Sequence, residues 1–187
     1  MRGTLNNKAI KSINNTRSTA SMSKGLQILE GRSSEVSPAV KSVELILNHN
    51  YIKPLTEHIK NTKSQLRICS YLWQWYENAP DEVMQKFNVA ILRAISRGVS
   101  VKVICDNLAT KNMLKKQGIP VRCIDTKTIM HIKAVAVDRE LLAMGSHNLS
   151  SYGMTKNYEA SVFISEYEPI EQFITYFDAI WEQLSEN

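Results

Sequence analysis

Cysteine is scarce in this chain. The 187 residues contain three, Cys69, Cys105 and Cys123, an odd number with no Cys-x-x-Cys spacing. That excludes a disulfide framework, and no Cys/His pairs stand at zinc-ligand spacing. Cys69 and Cys105 lie inside apolar, strand-like runs, so the expectation is reduced core thiols that behave as small hydrophobes. Five prolines and seven glycines are too few for collagen-like or low-complexity architectures. No apolar run approaches the roughly 18 residues of a transmembrane helix, and the N-terminus lacks the hydrophobic stretch of a secretory signal. The reading is a soluble, cytoplasmic protein without stable membrane insertion. Organelle targeting through a basic N-terminus is the alternative.

Basic residues are missing from the C-terminal end. Residues 157–187 hold seven acids and no Lys or Arg, so residues 1–156 carry all 23 basic residues against 11 acids. A net charge of +5 therefore conceals a body of +12, which suits a polyanionic partner.

What is present is an ordinary globular composition, 43% hydrophobic and 22% charged, enough to bury one core. Residues 1–38 are rich in Ser, Thr, Asn and basic residues without sustained periodicity, and read as a disordered, basic arm. From residue 39 onward strand and helix signals alternate. Strands are expected at Val43–Leu47, Leu66–Tyr71, Val99–Cys105, Val121–Ile124, Ile132–Val137, Leu141–Met144 and Glu159–Ile164. Helices are expected at Tyr51–Thr62, Asp81–Arg97 (ended by Gly98), Thr110–Gln117 (ended by Gly118) and Pro169–Leu184. Alternation followed by a strand-rich end implies an α/β fold, a mixed sheet flanked by helices on both faces.

Of four histidines, His49 and His58 flank the first helix without an evident partner. His131 has company. The spacing His131-Ile132-Lys133 places imidazole and ammonium on one face of a strand, with Ile132 opposite. After the turn Asp138-Arg139-Glu140 comes Gly145-Ser146-His147-Asn148, a small-residue loop at a strand end. Lys133 supplies a cation, Ser146 and Asn148 neutral donors, and His131 a nucleophile or a proton. Gly145 permits close backbone approach. The chemistry fits a phosphate.

The full spacing, His131-x-Lys133, then Asp138, then Gly145-Ser146-x-Asn148, resembles the HKD signature of the phospholipase D superfamily. Asn157-Tyr158-Glu159 is similar to that family's continuation. Ala94-x-x-Arg97-Gly98-Val99-x-Val101 followed by Asp106 is similar to its helix-to-strand passage. The resemblance covers residues 39–187, as one phospholipase D-like catalytic domain, and is nearest the single-motif, Nuc-like endonuclease branch.

It implies a sandwich fold and a site built from two HKD motifs. The chain has one, so a homodimer with the site across its twofold interface is expected. By the same resemblance, one His131 forms a phosphohistidine and the other acts as acid and base. Lys133 and Asn148 neutralise the phosphoryl oxygens, Glu159 orients an imidazole, and Ser146 contacts phosphate or supports the site. Asp138 is assigned a structural turn role. No metal or cofactor is expected. His147 occupies the motif's variable position. Alternation turns its side chain away from Ser146 and Asn148, and a substrate contact is the other reading. Tyr71, Trp73, Trp75 and Tyr76 follow a strand end and are candidates for stacking bases, with core or dimer packing the alternative. Nonspecific cleavage of nucleic acid, DNA or RNA, is the first expectation. Hydrolysis of a phospholipid such as cardiolipin and a non-catalytic nucleic-acid-binding dimer are the alternatives.

Overall fold

The computed structural model describes residues 42–75, 82–124 and 128–184. The basic arm and Tyr76 lie outside the described residues.

Apolar spacing sets the elements. Strand β1 is Val43–Leu47, followed by a single 3₁₀ turn at Asn48–Asn50. Helix α1, Ile52–Asn61, buries Ile52, Leu55 and Ile59 along one stripe and tolerates Pro54 in its first turn. Strand β2 is Gln65–Ser70, and helix α2 is Glu82–Ser96, stopped by Gly98 at φ +86°. Strand β3, Ser100–Cys105, leads into helix α3, Leu108–Lys116, whose first turn is capped by Asn107 accepting the Thr110 amide at 2.8 Å. The short β4, Val121–Cys123, is followed by β5, Lys133–Val137, and β6, Leu141–Gly145. Helix α4, Ser151–Thr155, precedes β7, Ala160–Ile164, and the long α5, Tyr167–Gln183.

The strands form one mixed sheet in the order β1-β7-β6-β5-β2-β3-β4. Strands β2, β3 and β4 run parallel, and the other pairings are antiparallel. Alternation along β5 sends Val135 and Val137 to one face, with α1 and α2, and Ala134 and Ala136 to the other, with α5. The expected α/β sandwich is the observed one. Cys69, Cys105 and Cys123 are buried, and none is in a disulfide among the described residues. Among the described residues no helix is long and apolar enough to cross a membrane.

The acidic C-terminal stretch is partly consumed within the fold. Asp178 of α5 pairs with the buried Arg67 at 2.8 Å and with Lys102 at 3.5 Å, Glu182 with Lys102 at 3.7 Å, and Glu171 with Arg139 at 2.7 Å. Trp181 adds cation–π contacts to Lys102 and Arg122. The charge asymmetry of the sequence is thus in part a helix-docking device.

Helix α5 covers the middle of its sheet face and leaves the β1 end open. Val43, Leu45 and Leu47 of β1 and Met144 of β6 are exposed there. An open groove lined by Leu45, Met144 and Val162 runs up to Gly145 and Ala160.

Candidate active site

Register defines the edge at which the site forms. Ser70 pairs with both Lys133 and Cys105, Ala134 with Met144, and Gly145 with Ser161. The C-terminal ends of β2, β3 and β6 therefore meet the N-terminal ends of β5 and β7. In the parallel part of an α/β sheet this is the end at which ligands bind.

The His131 and Lys133 side chains lie on one side, as their spacing predicts, and Ile132 packs on the α5-side core opposite. Strand β5 begins at Lys133, and His131 lies just before it, exposed at the sheet edge. Just upstream, Asp106 at the end of β3 accepts the Met130 amide at 2.6 Å. Lys133 curls back, its ammonium donating to the His131 carbonyl at 2.9 Å. Both side chains meet on Tyr71. The Lys133 Nζ lies 5.0 Å from the centroid of that ring, and the His131 imidazole meets it edge-to-face at 4.7 Å. Burial lowers the Lys133 pKa, while the nearby Glu159 carboxylate favours the ammonium.

The second half of the constellation is the β6–α4 loop. Gly145 approaches β7 so closely that a Cβ would stand 2.3 Å from Ser161 Oγ and 2.5 Å from the Ala160 carbonyl. Its small size serves the approach of its own neighbouring strand. Ser146 is thereby locked to β7: its amide donates to the Ala160 carbonyl, its hydroxyl accepts the Ala160 amide, and the hydroxyl donates to the Glu159 carboxylate. Asn157 donates to the other Glu159 oxygen at 3.0 Å. Asn148 is half-buried, and its Oδ1 is buried without a hydrogen-bond partner. Glu159 makes no hydrogen bond to His131 of the same protomer among the described residues. Its charge favours the Lys133 ammonium of the other half.

Asp138 stands away from this edge, in the β5–β6 turn at φ +51°. Its carboxylate accepts the Thr62 and Ser64 hydroxyls and the Lys63, Ser64 and Gln65 amides, all at 2.7–3.0 Å. Burial works to raise its pKa, but these bonds prevail and hold the carboxyl well below the usual carboxylate range.

Two candidate substrate contacts are corrected. Trp73 is 2% exposed and donates from Nε1 to Asn88 Oδ1 at 3.1 Å, with Trp75 and Phe87 beside it. A parallel bridge to Leu149 pulls that segment into the fold, so the indole has no face for a base. His147 is 1% exposed, stacked on Tyr51 at 4.3 Å and hydrogen-bonded through both ring nitrogens. Trp75 is half-buried and packs against the core of the α1/α2 face. Tyr71 alone of the described aromatic group touches His131. Sequence reasoning does not reach Asn48, which takes φ +52° after β1 and bonds both backbone groups of Glu159. No local pattern announces it, because its partners are more than 90 residues away. Among the described residues no three His, Cys, Asp or Glu side chains gather as metal ligands.

Comparison with known proteins agrees with this layout. A family model described as "Cardiolipin synthase, PLD-like domain" matches residues 55–181. The mitochondrial cardiolipin hydrolase of Canis lupus familiaris is 34% identical over 95 residues, 48% of this chain and 37% of that protein. The match thus spans well under half of the curated relative. The crystal structure of a phospholipase D family member, Nuc from Salmonella typhimurium, superposes with a TM-score of 0.61 at 26% identity, covering 76% of this chain and 97% of Nuc. NucT from Helicobacter pylori gives the same TM-score at 20% identity, over 76% of this chain and 98% of NucT, a likeness of fold. With the family model spanning more than half of its length and its sheet laid out as in Nuc, the chain belongs to the phospholipase D superfamily.

Proposed function

We propose that this chain is a metal-independent phosphodiesterase that cleaves nucleic acid through a phosphohistidine, in a site completed by a second copy. The carrying observation is the pairing of His131 and Lys133 on Tyr71 at an open sheet edge, beside the Ser146–Glu159 pair. It supplies one nucleophile, one cation and one carboxylate, which is half of what two-step transfer by histidines requires.

In the first step His131 attacks phosphorus, forming a P–N bond as the P–O bond to the leaving group breaks. The leaving oxygen takes its proton from the partner subunit's His131. That imidazole then removes a proton from water, which attacks phosphorus and breaks the P–N bond. Lys133 and Asn148 from both copies stabilise charge on the non-bridging oxygens. Glu159, already oriented by Ser146 and Asn157, is free of His131 in its own protomer and is assigned to the imidazole across the twofold axis. The apolar face formed by Leu45, Met144 and Val162, continuous with Gly145 and Ala160, is the surface assigned to the second copy.

The basic excess of residues 1–156 supports nucleic acid as substrate. The name of the curated relatives, mitochondrial cardiolipin hydrolase, supports a second reading, hydrolysis of an anionic phospholipid. One assay panel separates them: single- and double-stranded DNA, RNA and cardiolipin vesicles, all in EDTA, with His131→Ala beside the wild type. Cleavage of nucleic acid lost in the variant is the expected result. Vesicle hydrolysis alone selects the lipid reading, and binding of DNA without any cleavage selects a non-catalytic dimer.

A further inference from the structure

His147 occupies the variable position between Ser146 and Asn148, and the proposed chemistry has no use for it. Yet both of its ring nitrogens are hydrogen-bonded. Its Nε2 lies 2.7 Å from the carbonyl oxygen of Asn48, and its Nδ1 lies 2.7 Å from Ser161 Oγ. A carbonyl only accepts, so Nε2 carries the hydrogen. In the neutral ring Nδ1 then accepts from the Ser161 hydroxyl. Tyr51 stacks on the imidazole with an interplanar angle of 8°, which leaves the ring one orientation.

The group at the far end of this arrangement is Glu159. Asn48 sits in the left-handed region at φ +52°, and that conformation aims three of its groups at once. Its carbonyl meets His147, its amide donates to the Glu159 carbonyl at 2.9 Å, and its Oδ1 accepts the Glu159 amide at 3.1 Å. The end of edge strand β1, the loop carrying Ser146 and Asn148, and the residue bearing the carboxylate are thereby tied through one imidazole.

We infer that His147 is a positioning residue, holding Asn48 in its left-handed conformation and, through it, fixing Glu159 against Ser146. The inference rests on the phosphodiesterase reading for its effect on rate, but its geometric half stands apart from activity. A ring that served only to fill space is replaceable by another ring. A ring whose N–H positions Asn48 is not, whereas a glutamine amide can place a donor where Nε2 stands.

The test compares wild type, His147→Phe and His147→Gln in the full chain. Two quantities are read: amide hydrogen exchange at Glu159, and kcat and KM for bis(p-nitrophenyl) phosphate in EDTA. Phenylalanine keeps the stacking on Tyr51. It is expected to speed Glu159 exchange at least tenfold and to lower kcat at least tenfold, with KM changed less than threefold. Glutamine is expected to recover most of both. Unchanged Glu159 exchange in a folded His147→Phe protein overturns the inference, as does a glutamine variant no better than phenylalanine. If His147→Phe does not fold, Ser161→Ala carries the test, since it removes only the hydroxyl that orients Nδ1. Glu159 exchange and kcat must then change together, and no change in either overturns the inference. A wild type inactive on every phosphodiester refutes the proposed function instead, and the exchange measurement still decides the role of His147.

Discussion

The Lys133 ammonium donates to the main-chain carbonyl of His131, 2.9 Å away, while both side chains rest on the ring of Tyr71. The proposed cation and nucleophile are therefore one mechanical unit, and Lys133 fixes the backbone from which the imidazole projects. Replacing it with methionine keeps the stem and removes both the charge and the donor. Lys133→Met is expected to reduce kcat by about 10²–10³-fold, the usual cost of deleting a charge-stabilising donor. Burial lowers the Lys133 pKa, so the alkaline limb of the rate profile should lie below the ordinary lysine range. Lys133→Arg, if active, should move that limb upward, because guanidinium does not titrate there. A pH–rate series on the three proteins checks both.

Asp138 gives a prediction about stability. Its carboxylate gathers the Lys63, Ser64 and Gln65 amides at the start of β2, and Asp138→Ala leaves all three without an acceptor. The expected loss is about 3 kcal/mol by denaturant unfolding, with Asp138→Asn costing less because its amide oxygen still accepts. The folded pKa is depressed, so the contribution is fully present above the unfolded carboxyl value of about 4, starts to decline below it, and is lost only as pH falls through the much lower folded pKa. Wild type and Asp138→Ala should therefore converge in stability at strongly acidic pH.

The sequence carries the strands and most of the site because those depend on local pattern. Alternation in Lys133–Val137 fixes which side chains meet α5, and Gly98 and Gly118 end their helices at positive φ. Helix α4 escapes pattern reading since Ser151–Thr155 is too short to show a 3.6-residue period. The side-chain directions of Trp73 and His147 depend on Asn88, Asn48 and Ser161, and no periodicity reports such partners. Strand β5 starts at Lys133, one residue later than the pattern predicts, and the Met130 amide upstream bonds to Asp106 outside the ladder. Tyr71 reads as one of four aromatics after a strand, and only the fold distinguishes it from Trp73.

Burial lowers the His147 pKa, opposed by the Asn48 carbonyl and by Glu159. For a base depressed in the folded state, the unfolded chain binds the proton more readily. The stability is present above the unfolded histidine pKa of about 6.5 and declines as pH falls below it. Thermal unfolding of the wild type between pH 7 and pH 5 should therefore show a loss that is smaller in His147→Gln, which cannot titrate. An equal slope in the two proteins would place that loss elsewhere.

The composite site makes a quantitative prediction about mixtures. In the proposed mechanism each catalytic cycle uses His131 from both copies, one as nucleophile and one as acid, so a dimer with one His131→Ala subunit lacks an essential partner in either direction. Random re-pairing of equal amounts of wild type and variant leaves about one quarter of the dimers with two wild-type subunits. Residual phosphodiesterase activity after complete exchange should therefore be near one quarter of that of the same total protein as wild type. A residue near one half would mean that each protomer works alone, and Lys133, Asn148 and Glu159 of one chain would then have to suffice. The measurement needs confirmed subunit exchange, for which a tagged and an untagged chain co-purified before assay provide the control.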